Sequence, residues 1–258
     1  MLATKIFLER ELYNGVIYPE SDGQPMADNT VQLHWITTIK GNVDAMFAHD
    51  PDIFVAGDLL WYPVEGHPEL RMAPDVLVVF GRPKHDRGSY LQFREANIPP
   101  QVVFEILSPG NTATEMVRKF QFYNCYGVEE YYLYDPASET LEGWLRQQGQ
   151  LTPILNLQGW VSPRLGVRFA PAPTGLQMYR ADGTRFLSYV ELDELRQQDQ
   201  LRAIFAEDRA QLAEAERNQA ETERNQAEAE RNQAETRAAR LAARLRALGV
   251  DPDSDEDA

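Results

Sequence analysis

The stretch that decides the fold is APDVLVVFG (73–81) followed by QVVFEILSP (101–109), with TEMVRKFQFYNCYG (114–127) and EYYLYDP (130–136) after it. Each apolar run is short and bounded by Pro, Gly or Ser, the length and punctuation of buried strands. Ser108-Pro109-Gly110-Asn111 reads as a turn, and Thr112 or Thr114 as the start of a helix ending near Gly127. Working outward, IFVAGDLLWYP (53–63), TLEGWLRQ (140–147) and GVRFAP (166–171) are further extended segments. Asp28 or Asn29 is placed to cap a helix running to about Phe47, with Val31, Trp35, Ile39 and Val43 at helical spacing. Strands grouped around one or two helices predict an α/β (α+β) domain over residues 1–195.

Composition breaks near residue 196. From Arg196 to Ala247 the chain has neither Pro nor Gly, and it repeats AEAERNQ, AETERNQ, AEAERNQ and AETRAAR. A long polar heptad-repeat helix over 196–248 is expected. Ala213, Ala220, Ala227, Ala234, Leu241 and Leu248 share one heptad position, whereas the partner position holds Arg217, Arg224 and Arg231 before Ala238 and Leu245. A coiled coil prefers apolar residues at both positions, so a homodimer through this segment is left open, as is recruitment of a protein partner. Residues 249–258 read as an acidic disordered tail.

The formal charge is −15, with 43% hydrophobic and 10% aromatic residues. Both parts are acidic: 16 Lys+Arg against 25 Asp+Glu over 1–198, and 9 against 15 over 199–258. Nonspecific nucleic-acid binding rests on basic surfaces, so any such contact must come from a local patch. The single cysteine, Cys125, excludes an internal disulfide framework and a cysteine-rich zinc site. No phosphate-loop or dinucleotide-binding glycine pattern occurs. The amino-terminal segment lacks the apolar core of a signal peptide and no apolar run reaches membrane-spanning length, so the cytoplasm is the expected compartment.

Glu105 is the sharpest local anomaly, a carboxylate inside Val102-Val103-Phe104-Glu105-Ile106-Leu107. Burying it unpaired costs several kcal/mol, so a cation partner, a metal or an exit at a sheet edge is expected. Asp75, opening the apolar run Val76–Phe80, is either a turn residue or a second carboxylate converging on one divalent ion. Lys119, in the following helix, reads alone as a snorkelling surface lysine and gains meaning only beside the two acids.

These residues carry a resemblance. APDVLVVFGRPKHDRGSY…PPQVVFEILSPGNTATEMVRKFQFYNCYGVEEYYLYDP is similar to the bacterial restriction endonuclease family within the PD-(D/E)XK nuclease superfamily, often described only as a domain of unknown function. The likeness runs from about Ser21 to Pro171. It implies a restriction-endonuclease-like mixed β-sheet flanked by helices and a metal-dependent endonuclease hydrolysing phosphodiester bonds of DNA. Pro74-Asp75 matches the "PD" and Glu105 the second acid. The lysine two residues after that acid is replaced by Leu107, and the resemblance assigns its role to Lys119. Asp75 and Glu105, with the Ile106 carbonyl, would then hold Mg²⁺ or Mn²⁺, and Gln32 on the first long helix would support the site. A neutral amide is a poorer ligand than a carboxylate.

Arg82, Lys84, His85 and Arg87 form either a phosphate-contacting patch beside the site or a solvated hairpin loop. Ser108 and Cys125 lack a neighbouring base motif and read as turn and packing residues. Two alternatives to a DNA endonuclease stay open. One is an inactive nuclease-fold scaffold that recruits partners through the C-terminal helix. The other is a nuclease for structured or single-stranded nucleic acid.

Overall fold

The computed structural model describes residues 10–23, 25–172 and 175–249. The predicted acidic tail, apart from Gly249, lies outside the described residues. The chain divides into two compact units, Met1–Leu192 and Asp193–Ala258. The elements are β1 (Arg10–Tyr13), β2 (Val16–Pro19), α1 (Thr30–Met46), β3 (Ile53–Gly57), β4 (Trp61–Tyr62), β5 (Val76–Phe80), β6 (Tyr90–Leu91) and β7 (Val102–Ile106). They continue with α2 (Ala113–Cys125), β8 (Glu130–Asp135), β9 (Thr140–Gln147), β10 (Gln150–Pro153), β11 (Arg168–Ala172), β12 (Gly175–Tyr179) and α3 (Tyr189–Ala247). None of the described helices is long and apolar enough to cross a membrane.

Six strands make a mixed sheet in the order β10-β9-β8-β7-β5-β3. Only β7 and β8 run parallel within it, and α2 supplies the crossover that a parallel pair needs. The fold is therefore mixed α/β with helices on the sheet and a long C-terminal helix, as the sequence reading expects.

Strand alternation divides the core into two layers. Val76, Val78, Phe104 and Ile106 face one side, where Ile36, Ile39 and Val43 of α1 cover them. Leu77, Val79 and Val103 face the other, against Tyr123 of α2 together with Trp61, Tyr90 and Tyr131. Glu105 and Asp75 have the parity of this second face, so both carboxylates point towards α2.

Asn29 caps α1, its side chain accepting a hydrogen bond from the Gln32 amide, and Thr112 caps α2 through the Glu115 amide. The buried face of α1 is Gln32, Ile36, Ile39 and Val43; the expected Val31 is exposed, because the apolar stripe lies one residue further along. The extended stretch 53–63 breaks at Asp58, whose φ of 48° turns the chain. α3 begins seven residues before the composition break. Ser188 and Glu191 form its start as a reciprocal cap, the Ser188 hydroxyl accepting from the Glu191 amide at 3.3 Å and the Glu191 carboxylate from the Ser188 amide at 2.8 Å. None of its 59 residues is buried.

Candidate active site

Glu105 lies on β7, only 2% exposed, and both of its oxygens are engaged. Lys119 Nζ reaches Oε2 at 2.7 Å, and the fully buried Tyr123 hydroxyl donates to Oε1. Lys119 and Tyr123 are i and i+4 on α2, so one helical face delivers both partners. This answers the question posed by the buried acid: its cation comes from the helix that links β7 to β8. Burial pulls the Lys119 ammonium down, but the Glu105 and Asp75 charges outweigh it and hold the group above its ordinary value.

Asp75 precedes β5. The pairing Val76↔Phe104, extended by one residue, sets Asp75 opposite Glu105. Asp75 Oδ2 accepts a hydrogen bond from the Ile106 amide at 2.6 Å, which fixes the carboxylate across the two strands. Burial first, and then the neighbouring Glu105 charge, raise its carboxyl well above the usual range. Two acids share one lysine, so the pair is short of positive charge.

A cleft of about 360 Å³ opens over Asp75, lined also by Asp22, Asp58, Glu115, Arg118 and Lys119. Glu105, 2% exposed, is not among its lining residues. Asp58 is one of the cleft acids that sequence reasoning missed. Its amide donates to the Pro74 and Asp75 carbonyls at 3.1 and 3.3 Å, which locks it beside the Pro-Asp pair. Burial and then Asp22 raise its carboxyl, and Glu105 adds to the effect. The signal in sequence was a lone Gly-Asp interrupting an apolar run, which also reads as a plain turn. Tyr123 was likewise passed over, because an aromatic on an apolar helix face looks like core.

Gln32 is buried and bridges two backbones. Its side-chain carbonyl accepts from the Asp28 amide at 2.8 Å, and its NH₂ donates to the Ile106 carbonyl at 3.0 Å. It thus buttresses the strand end carrying Glu105. Ser108 donates its hydroxyl to Asp28, and a Cβ on Gly110 would meet that carboxylate at 2.8 Å, so a larger residue there would require the Asp28 side chain to shift. Cys125 is exposed.

The basic loop is not part of this cleft. Asp75 and Arg82 flank opposite ends of the five-residue β5, on the order of 20 Å apart at strand rise. Arg82 and Arg87 both bind Glu95 at 2.7 Å, and the Arg87 side chain, 4% exposed, stacks 4.0 Å over Phe54. Lys84 donates to the Phe47 carbonyl at 2.5 Å. Of the two readings left open for this loop, the structure shows Arg82, Lys84 and Arg87 tying it to the domain, at the far end of the strand from Asp75. Another buried carboxylate, Glu130, is satisfied by Ser162, by Tyr132 and by the Arg164 amide at 2.6 Å, with no opening onto the cleft. Glu130 has the neutral-donor environment of a structural acid, which Glu105 lacks.

Among the described residues no group of three His, Cys, Asp or Glu side chains is arranged to hold a metal. Magnesium needs less: it keeps several waters and takes one or two carboxylates. Asp75 and Glu105 supply such oxygens, since a carboxylate accepting one hydrogen bond per oxygen retains a lone pair on each. The donor set fits a hard divalent ion.

The model of a family described as "Putative restriction endonuclease" matches residues 8–171, well over half of the chain. No curated protein matches it. Among solved structures, a "putative nuclease belonging to DUF820" from Anabaena variabilis is 16% identical, with a TM-score of 0.39, covering 61% of this chain and 83% of that one. That likeness is too slight to transfer residue roles.

Proposed function

The chain belongs to the family described as "Putative restriction endonuclease", and on that premise we propose that it is a metal-dependent endonuclease hydrolysing phosphodiester bonds of DNA. The observation that carries the reading is the Asp75–Glu105–Lys119 cluster: Asp75 and Lys119 line one cleft, and the buried Glu105 is ion-paired to that lysine. Asp75 and Glu105 are assigned as the residues that would hold Mg²⁺ or Mn²⁺. Such an ion lowers the pKa of a bound water and polarises a phosphoryl oxygen.

The chain's own groups do the rest. The Ile106 amide and Tyr123 hydroxyl hold the two carboxylates in place, so little reorganisation is needed when substrate arrives. Lys119, kept charged by its neighbours, stabilises negative charge developing on the phosphate. Arg118, exposed on the same helix, is positioned to meet the flanking phosphate backbone. Asp58 shapes the cleft rim and holds the Pro74–Asp75 backbone.

A scaffold reading is favoured by one observation, the net charge of −15 with the basic loop turned to structural use. Nicking of supercoiled plasmid distinguishes the two. With Mg²⁺ or Mn²⁺ the wild type is expected to nick, and Asp75→Ala and Glu105→Ala are not. Undiminished nicking by either variant contradicts the site, and no nicking by the wild type favours the scaffold.

A further inference from the structure

Among the described residues, α3 leaves a face without a partner. No residue along it is buried; Leu241 and Leu245 in its last turns, and Leu248 just past its end, are 55%, 39% and 73% exposed. The same heptad positions carry Ala203, Ala206, Ala210 and Ala213 near the start and Arg217, Arg224 and Arg231 in the middle. We propose that this face pairs antiparallel with α3 of a second copy of the chain.

Two independent patterns select the occupant and its direction. The first is the layering of side chains. In a parallel pair Arg217, Arg224 and Arg231 would each face their own copies, three like-charge layers in the seam. In the antiparallel pair, Arg217 faces Ala234, Arg224 faces Ala227, and Arg231 faces Ala220. Leu241, Leu245 and Leu248 then face Ala210, Ala206 and Ala203. Each long side chain meets an alanine, so the arginine stems lie on apolar surface while their guanidinium groups reach outward. Glu221, Glu228 and Glu235 directly follow the facing alanines and are placed to receive them.

The second pattern is charge. Residues 236–248 carry Arg237, Arg240, Arg244 and Arg246 and no acid. The stretch opposite them, 203–215, carries Glu207, Asp208 and Glu214 against Arg209 alone. A basic tip therefore lies along an acidic segment, whereas a parallel pair sets four arginines beside four more. Antiparallel helix dipoles agree with the same choice. The pairing leaves Leu201, Ile204, Phe205 and Leu212 on the outer faces. It does not depend on the chain being a nuclease.

The test uses the full chain with Cys125→Ser, which removes the one native thiol. Ala206→Cys and Leu245→Cys are made separately on that background, and solution mass is measured by light scattering before mild oxidation. The expected result is a dimer mass for both, with covalent dimer formed when the two variants are mixed and not by either alone. Covalent dimer from either variant alone overturns the antiparallel arrangement. A monomer mass with no covalent dimer from the mixture overturns the pairing itself.

Discussion

Removing the Lys119 charge tests whether the Glu105 cage is a functional pair rather than a stabilising one. Glu105 is 2% exposed and Lys119 13% exposed, so neither charge is well screened by water. Lys119→Met leaves a buried carboxylate held by Tyr123 alone, and losing one partner of a buried pair costs about 3–5 kcal/mol. For a unit of this size that amounts to a fall of roughly 6–20 °C in Tm. Adding Glu105→Gln removes the stranded charge while its amide oxygen still accepts from Tyr123, so the double variant is expected to recover most of the loss. All four tryptophans, Trp35, Trp61, Trp144 and Trp160, lie in the first unit. Tryptophan fluorescence during heating therefore reports that unit and not α3. The expected pattern is a destabilised single variant, a restored double variant, and no nuclease activity in either. A double variant as unstable as Lys119→Met, or a single variant melting with the wild type, refutes the reasoning.

Asp75→Asn is expected to abolish cleavage without loss of stability. Burial and the Glu105 charge raise the Asp75 carboxyl, so the native state binds a proton that the unfolded chain has already released. Stability from that proton is full below the unfolded value, about 3.9, and is lost as pH rises through the raised one. Melting curves of the Asn variant should match the wild type in acid and meet or exceed it towards pH 8; a lower Tm at pH 8 contradicts the sign. The proton competes with the cation, so Mn²⁺ affinity of the wild type should weaken as pH falls through the raised Asp75 value. An affinity flat with pH opposes that coupling. Asp58→Asn should keep the fold, since Asn tolerates a φ of 48°, and should slow cleavage less than Asp75→Asn. A Tm drop together with unchanged cleavage would make Asp58 purely structural. Arg87→Ala removes a buried bond to Glu95 and should lower stability by about 1–3 kcal/mol, because Arg82 still holds that carboxylate. Its DNA affinity at low salt should be unchanged, and a large loss there would return the loop to the binding surface.

The central strands and the helix between them were legible because their signals are local. The apolar runs around Val76–Phe80 and Val102–Ile106 are strand-length, and Thr112 caps α2 from a turn rich in Ser, Pro and Gly. Glu105 was legible as an anomaly for the same reason: a charge inside such a run requires a partner. The hairpins were missed, although Asn14-Gly15 and Gln148-Gly149 carry the positive φ pairs of tight two-residue turns. Their strands are short and only partly apolar, so alternation was weak. Position relative to the site was the harder matter. Arg82 and Arg87 stand close to Asp75 in sequence, but the intervening strand carries them to its far end, which a linear reading does not weigh. Asp58 lies 17 residues before Asp75 and reaches it only because β3 and β5 pair with Gly57 opposite Val76. Glu130 gave no signal beyond a charge at a strand start, where an exposed residue is the ordinary expectation.

Titration of Mn²⁺ into the wild-type chain and into Asp75→Asn by calorimetry at pH 8 tests most directly whether the cleft is a metal site. The wild type should show saturable binding, and Asp75→Asn, folded to the same Tm or above, should show none. Binding retained by the variant, or absent from the wild type, contradicts the assignment of Asp75 as the ligand on which the proposed chemistry depends.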